Sequence, residues 1–337
     1  MKAYRLMDFT GIDGLKAVEE QTPPPVKGEV LVRVRAVSLN FRDLAMTDGR
    51  YPVEHHAGLI PVSDAAGEVL AIGEGVTALG VGDRVVNSFH PRWFGGEAPV
   101  DEKADQYGSR EDGWLTECKV VSQEAVVGIS DRLSFEDAAT LPCAAVTAWR
   151  ALHGGSAVRP GQTVLTQGTG GVALFALQIA KLAGATVVAT TSSDEKAEVL
   201  RGLGADQLIN YRANPHWGEL AKEWTGGRGV HRVVEVGGSG TLGQSMKALR
   251  PEGEVALVGF LAAAPEPSLD FLQLFLSGGT FRVINVGHRG DLIDVARALG
   301  QTRVRPVIDS IHPFEDAAEA YRRLASGDAI GKIVISL

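Results

Sequence analysis

The 337-residue chain has only two cysteines, Cys118 and Cys143. That number excludes a disulfide framework and a four-cysteine structural zinc site. The opening residues, Met-Lys-Ala-Tyr-Arg-Leu-Met-Asp, lack the apolar core of a signal peptide, and no uninterrupted apolar run approaches the roughly 20 residues that span a bilayer. Basic residues are not in excess either. With 33 Lys and Arg against 41 Asp and Glu the net charge is −8, which argues against nucleic acid and anionic membranes as partners. A soluble, cytoplasmic protein acting on small molecules is the expectation. Internal repeats and low-complexity segments are absent, and the length, with 45% apolar residues, suits two domains.

Glycine is plentiful, at 41 residues. Residues 163–173 read Thr-Val-Leu-Thr-Gln-Gly-Thr-Gly-Gly-Val-Ala, a short apolar strand followed by a glycine turn that opens a helix. In the turn Gly168, Thr169, Gly170, Gly171, Val172, the first glycine permits a tight bend and Gly170 lets backbone approach a pyrophosphate. Ala173 stands where a third glycine could sit. In isolation this pattern reads equally well as a structural turn, so its surroundings decide. The helix from Gly171 to Ala183 has only Gln178 and Lys181 as polar residues, which predicts burial nearly all round. Ala173, Ala176, Ala180 and Ala183 form a stripe that lets the helix lie close to a sheet, and Gly184 supplies a left-handed stop. A strand, Thr186 to Thr190, follows. Strand, glycine turn, helix and strand within about 30 residues form the βαβ context of a dinucleotide site, with the anion at the helix N-terminus.

Before about residue 125 the pattern is β-rich: Glu29 to Val37 alternates apolar and polar positions, and Gly67 to Ile72 and Gly82 to Val86 are short runs bounded by glycine. Phe94 to Asp112 reads as an irregular lobe or loop. From Phe135 the period changes. Phe135 to Leu152 is helical in pattern, and strands near 163, 186, 207, 231, 254 and 281 alternate with helical segments, which predicts a six-stranded, doubly wound parallel sheet. Two helices, Asp291 to Leu299 and Phe314 to Leu324, and a final strand, Lys332 to Ser336, complete the chain. The expected division is 1–125 for the first domain, 126–287 for the parallel-sheet domain, and 288–337 for a return to the first.

The stretches Val37-Ser38-Leu39-Asn40-Phe41-Arg42-Asp43, Ile60 to Val69, Gly82-Asp83-Arg84-Val85, Leu141 to Trp149, the glycine turn and Gly331-Lys332-Ile333-Val334 together resemble the medium-chain dehydrogenase/reductase superfamily, specifically its zinc-independent, quinone-oxidoreductase-like branch. The resemblance implies a GroES-like, β-rich catalytic domain, an inserted Rossmann domain and a cleft where they meet. Zinc-dependent members hold a catalytic metal with three ligands, and the matching positions here are Asn40, Ser63 and Cys143. An amide and a hydroxyl are poor zinc ligands, so no zinc is expected. His55 and His56 lack a third nearby donor, and Cys143 reads as a small hydrophobe in an apolar helical run.

NAD-preferring sites place an acid at the end of the second strand, about 20 residues past the glycines. Here that end is Thr190-Thr191-Ser192-Ser193, with Lys196 one turn on. Hydroxyls leave room for a 2′-phosphate, so NADP(H) is expected over NAD(H), with Ser192, Ser193 and Lys196 near it and Tyr211 added by the resemblance. Asp194 opposes this if turned inward. Ser192 with Glu195 can instead form a capping box. Gly237, Gly259, Phe260, Leu261, Val286, Gly287 and His288 follow later strands, where α/β sheets place ligands, although plain strand-to-helix turns explain them nearly as well.

The remaining candidates are carried over by position. Asn40 and Tyr51 would hydrogen-bond an acceptor oxygen, Thr147 the nicotinamide, and Asp43 would orient the loop or substrate. Each has a local alternative: Asp43 as a cap, Thr147 bonded within its helix, Tyr51 as a turn residue. Without a Lewis acid the acceptor must delocalise charge itself, which favours a quinone or enone. An enoyl-thioester or alkenal reductase, a metal-free alcohol dehydrogenase, and a cofactor-binding protein without useful catalysis are the alternatives. The sixth strand, Phe281 to Val286, would lie at a sheet edge, where a homodimer is expected.

Overall fold

The computed structural model describes residues 1–53, 55–99, 106–262 and 269–337. It divides into two units, Met1–Val146 with Gly287–Leu337, and Thr147–Val286. Part of the Phe94 to Asp112 stretch, residues 100–105, lies outside the described residues. Among the described residues no helix is long and apolar enough to cross a membrane.

The first unit begins with a hairpin, β1 (Lys2–Leu6) against β2 (Leu15–Glu19), and continues through β3 (Glu29–Leu39), α1 (Phe41–Thr47), β4 (Asp64–Ile72), β5 (Arg84–Asn87), β6 (Cys118–Ser122) and β7 (Val126–Gly128). Helix α2 (Phe135–Ala139) leads into a π-helical stretch, Leu141–Ala145. Such stretches often mark functional sites, and this one carries Cys143. Residues 126–146 belong to this unit, not to the Rossmann half where the sequence reading placed them. The physical reason is pairing: Val126–Gly128 forms a ladder with Arg84–Asn87, and Ala138 and Ala139 are buried against Ala36 and Ala66 of β3 and β4.

The second unit runs α3 (Val146–His153), β8 (Thr163–Gln167), α4 (Gly171–Leu182), β9 (Thr186–Thr191), α5 (Asp194–Gly202), β10 (Gln207–Asn210), α6 (Trp217–Trp224), β11 (Val230–Glu235), α7 (Leu242–Ala248), β12 (Leu249–Leu257), α8 (Phe271–Ser277) and β13 (Thr280–Val283). Its six strands are all parallel, in the order β10-β9-β8-β11-β12-β13. This is the doubly wound Rossmann order. Strands covered on both faces need continuous apolar runs, and Val164, Leu165, Val187, Val188, Val233 and Val255 are all fully buried. Strand β13 is an edge, as expected, but ends at Val283. Its partner β12 ends opposite that residue at Leu257, and Val286 further on has φ 52, a left-handed conformation rare for a β-branched residue. On α4, residues 173–180 are buried throughout, and Gly184 takes φ +74 just past its end.

The chain then returns to the first unit with α9 (Arg289–Gln301), β14 (Ile308–Pro313), α10 (Ala317–Ala325) and β15 (Lys332–Ser336). The unit's main sheet has the order β14-β15-β3-β4-β5-β7, with β6 also on β3. Strand β15 runs antiparallel to β3, pairing Ile333 with Leu39 and Val334 with Ser38.

The alanine stripe of α4 generates a prediction. Ala180 has no exposed surface, so Ala180→Leu should lower unfolding stability by about 1–3 kcal/mol through overpacking. An unchanged midpoint in denaturant titration would show that α4 is not held against the sheet as described.

Candidate active site

In a parallel sheet every strand points the same way, so turns distant in sequence gather at one end. The carboxyl ends of β8 to β13 bring together Gly168 to Val172, Ser192, Ser193, Tyr211, Gly237, Gly259 to Leu261 and Val286, while Lys196 sits in the first turn of α5. The Gly168 N–H donates to the Thr190 carbonyl at 2.8 Å, and the Tyr211 N–H to that of Thr191 at 3.0 Å. The turns after β11 and β12 interlock: Leu261 N–H donates to Val236 (3.2 Å) and Ala262 N–H to Gly237 (2.8 Å).

Gly168 takes φ +76 and so needs glycine for its backbone. Gly170, the N-cap of α4, has an ordinary φ of −76, and a Cβ there would meet no protein atom within 4 Å. Neither backbone nor packing demands glycine at 170. What remains is a cradle of N–H groups at a helix N-terminus, shaped for an anion outside the chain, which fits a dinucleotide pyrophosphate. Beneath it lies a network that sequence reasoning missed. The fully buried Glu235 accepts from Gln167 Nε2 (2.7 Å), Gly237 N–H (2.8 Å), Gly238 N–H (2.9 Å) and the hydroxyls of Thr241 (2.5 Å) and Ser245. Gln167 Oε1 in turn accepts from Val236 N–H at 3.1 Å. A buried carboxylate with this many donors fixes the glycine turn after β11 and ties it to the end of β8 through Gln167. The available signal was a glutamine and a glutamate as the last residues of two parallel strands.

At the second strand end the α5 cap is Ser193, whose Oγ accepts from Lys196 N–H at 3.3 Å, and not Ser192. A Ser192–Glu195 capping box therefore does not form, because the helix starts one residue later. Asp194 and Glu195 are exposed in the first turn, where the helix dipole favours acids. Gly287 and His288 lie in the first unit. His288 caps α9, Nδ1 accepting from Asp291 N–H at 3.0 Å, so that nitrogen serves the helix.

The first unit holds a second constellation. Strand β3 ends at Leu39, and Asn40 then caps α1, its N–H donating to Asp43 Oδ2 at 2.8 Å. Asp43 therefore does act as a local cap. Strand β4 starts at Asp64, whose carboxylate accepts from Ser63 Oγ (2.7 Å) and Cys143 N–H (3.1 Å). Asn40 Nδ2 faces Ser63 Oγ at 3.5 Å. Val62, just before Ser63, has φ 75, a strained state for a β-branched residue, and its carbonyl accepts from Trp114 N–H at 2.8 Å. Arg42 is buried, donates to the Tyr107 carbonyl (2.9 Å), lies 3.5 Å from Asp43, and stands 5.4 Å from the centre of the Tyr51 ring. Finally, the buried Lys332 ammonium donates to Leu39 O at 2.6 Å and to Asn40 Oδ1. Asn40, Asp43 and Tyr51 thus share one polar cluster, while Thr147 lies buried on α3 in the other unit. Arg42, Asp64 and Lys332 were not read as site residues. Charges set among apolar residues at strand and helix starts were the signal.

The electrostatics favour neutral hydrogen-bond donors here. Burial raises the Tyr51 phenol above its ordinary value, keeping its O–H, and burial with the neighbouring Asp64 raises the Cys143 thiol, keeping it protonated. Burial pushes Asp43 up to about 6, against the pull of Arg42 and with the help of Asp64. His55 and His56 lie outside the cluster's hydrogen bonds; their Nδ1 atoms meet the carbonyls of Val53 (2.7 Å) and Ala57 (3.1 Å).

A Rossmann unit with a glycine-lined anion cradle and a β-rich unit with a buried donor cluster define a nicotinamide-dependent oxidoreductase. The chain belongs to the medium-chain dehydrogenase/reductase superfamily. Residues 26–131 match the alcohol dehydrogenase GroES-like domain and residues 171–301 the zinc-binding dehydrogenase domain. It is 40% identical to a zinc-type alcohol dehydrogenase-like protein of Schizosaccharomyces pombe, over 98% of this chain and 97% of that one. It is 30% identical to an acryloyl-coenzyme A reductase of Metallosphaera sedula, over 96% of each. Among solved structures it is similar to an NAD-dependent alcohol dehydrogenase (TM-score 0.91, 29% identity, all of both chains) and to a mycobacterial protein complexed with NADPH (TM-score 0.83, 27% identity, all of both chains).

The raised Asp43 pKa carries a pH signature. A carboxyl whose folded value, about 6, exceeds its ordinary 3.8 contributes stability present below the lower value and lost as pH rises through the higher one. Asp43→Asn removes that loss and keeps an acceptor for the Asn40 N–H. Between about pH 4 and pH 7 the variant should therefore gain stability relative to the parent. Thermal melts whose difference stays constant across this range would contradict the assignment.

Proposed function

We propose that the protein is a zinc-independent, NADP(H)-dependent oxidoreductase that passes hydride to a small conjugated carbonyl, a quinone or an enone, as in the quinone-oxidoreductase-like branch. The observation that carries this reading is the chemistry of positions 40, 63 and 143. Asn40 Oδ1 is held by an ammonium, and the Ser63 hydroxyl donates to Asp64. A buried cation beside an amide and a committed hydroxyl leaves Cys143 as one thiol, which cannot build a zinc site alone. The same cluster offers N–H and O–H groups to an oxygen that gains charge. Such donors suffice where the acceptor spreads that charge over several atoms.

When bound, the reduced nicotinamide supplies the hydride. The pyrophosphate would lie on the N–H groups of the Gly168–Gly171 turn, with Ser192, Ser193 and Lys196 beside a 2′-phosphate and no acid at the end of β9. Asn40 Nδ2 and the Tyr51 hydroxyl would donate to the acceptor oxygen, and Asp43 would hold the loop that presents Asn40. Similarity to an acryloyl-coenzyme A reductase favours, as a second reading, reduction of an enoyl thioester, which is also conjugated.

The test is a panel of quinones, enones and enoyl thioesters with NADPH and NADH, alongside metal analysis. Turnover with NADPH and tighter binding of NADPH than NADH are expected, with kcat/KM falling about 10- to 100-fold in Asn40→Ala and in Tyr51→Phe. Full turnover in both variants, tighter NADH binding, or about one zinc per chain would overturn the corresponding part.

We also propose a homodimer through β13. Val283 on this edge strand is 77% exposed, and α8 beside it exposes Phe271, Leu272, Phe275 and Leu276, an apolar face that a second copy would cover. Sedimentation should give twice the chain mass; a single-chain mass at micromolar concentration would rule the dimer out.

A further inference from the structure

Lys332 carries a charge that the proposed reaction gives no direct role. It is 3% exposed, yet its ammonium donates to two oxygens at the end of β3, Leu39 O and Asn40 Oδ1. The β15–β3 register puts it there, since Ile333 pairs with Leu39 and Lys332 is the preceding residue. An ammonium has three donors and no acceptor. The end of the Asn40 amide that faces it must therefore be oxygen, and the NH2 group is turned away, toward the side where Ser63 Oγ lies. Without the ammonium the amide would be held only through its NH2, by the long contact to Ser63 Oγ at 3.5 Å and by Asp64, against a rotation that exchanges oxygen and NH2 at nearly constant shape. With oxygen presented, the amide would repel an oxygen gaining negative charge.

We propose that Lys332 is the positioning residue for the Asn40 donor, locking the amide so that its N–H, and not its carbonyl, meets the acceptor oxygen. Across from the buried ammonium lies the buried carboxyl of Asp64, which burial raises above its ordinary value while Lys332 pulls it back down, and Asp43 lies against Arg42. This role rests on the reading of Asn40 as a donor to substrate. It assigns a function to a residue 292 positions away in sequence.

The test is a double-mutant cycle in the full chain with NADPH and the best conjugated acceptor. Lys332→Met should lower kcat/KM about tenfold or more while NADPH affinity, set in the other unit, is unchanged. In an Asn40→Ala background the same change should cost less than about twofold, because there is no amide left to orient. Lys332→Arg, which keeps N–H donors toward Oδ1, should recover part of the loss. If Lys332→Met does not fold, Lys332→Gln takes its place in the cycle. Wild-type kcat/KM in the Lys332 variant, or full additivity with Asn40→Ala, overturns the inference. A wild-type protein inactive with every conjugated acceptor is a separate result, which removes the underlying reading and this role with it.

Discussion

An ammonium buried between two strands constrains the whole β-rich unit. Lys332 opens β15, and its Nζ can stay desolvated only because β3 presents the Leu39 carbonyl and the Asn40 amide oxygen beside it. Without these acceptors its N–H groups would be buried unpaired, which is costly in a protein interior. The pairing of the last strand with β3 is thus a polar fit as well as a hydrophobic one, and the turn after β3, with Asn40, Arg42 and Asp43, is held in place by it. Asp64, anchored by Ser63 Oγ and Cys143 N–H, supplies the opposing charge from β4. Four segments far apart in the chain become one neutral but strongly polar cluster.

The Rossmann unit solves a related problem with one sign of charge. Glu235 is buried, and its carboxylate is satisfied by backbone N–H groups, two hydroxyls and Gln167. The donors it collects are those of the glycine turn after β11, so solvating this carboxylate also shapes the rim of the dinucleotide end. The glycine turn after β8 is shaped differently, by a positive φ at Gly168 and open space at Gly170. One turn is fixed from below by a charge, and the other is left vacant of side chains for a phosphate.

Elements whose own residues dictate them were readable in advance. The alternation of β3, the apolar runs of the parallel strands, the buried helix α4 with its Gly184 stop, and the last strand Lys332–Ser336 all follow from local pattern. Errors came where neighbours decide. Residues 126–146 join the β-rich unit because Val126–Gly128 finds a partner in β5. The α5 cap falls on Ser193 and not Ser192 because either hydroxyl could serve, and the backbone at the end of β9 chooses. Strand β13 stops at Val283 because its partner β12 ends opposite it at Leu257, and Val286 beyond it turns left-handed, a state no propensity would assign to valine.

By itself the amino-acid order determined the two-domain plan, the six-stranded parallel sheet and the glycine turn, because hydrophobic period and glycine placement act over a few residues at a time. Only the tertiary structure decided which way the Asn40 amide faces, which carboxyls are raised, and that Lys332, Asp64 and Glu235 belong to the sites. Those properties depend on burial and on partners brought from distant strands, and the charge of a side chain says nothing of its solvation until the chain has closed around it.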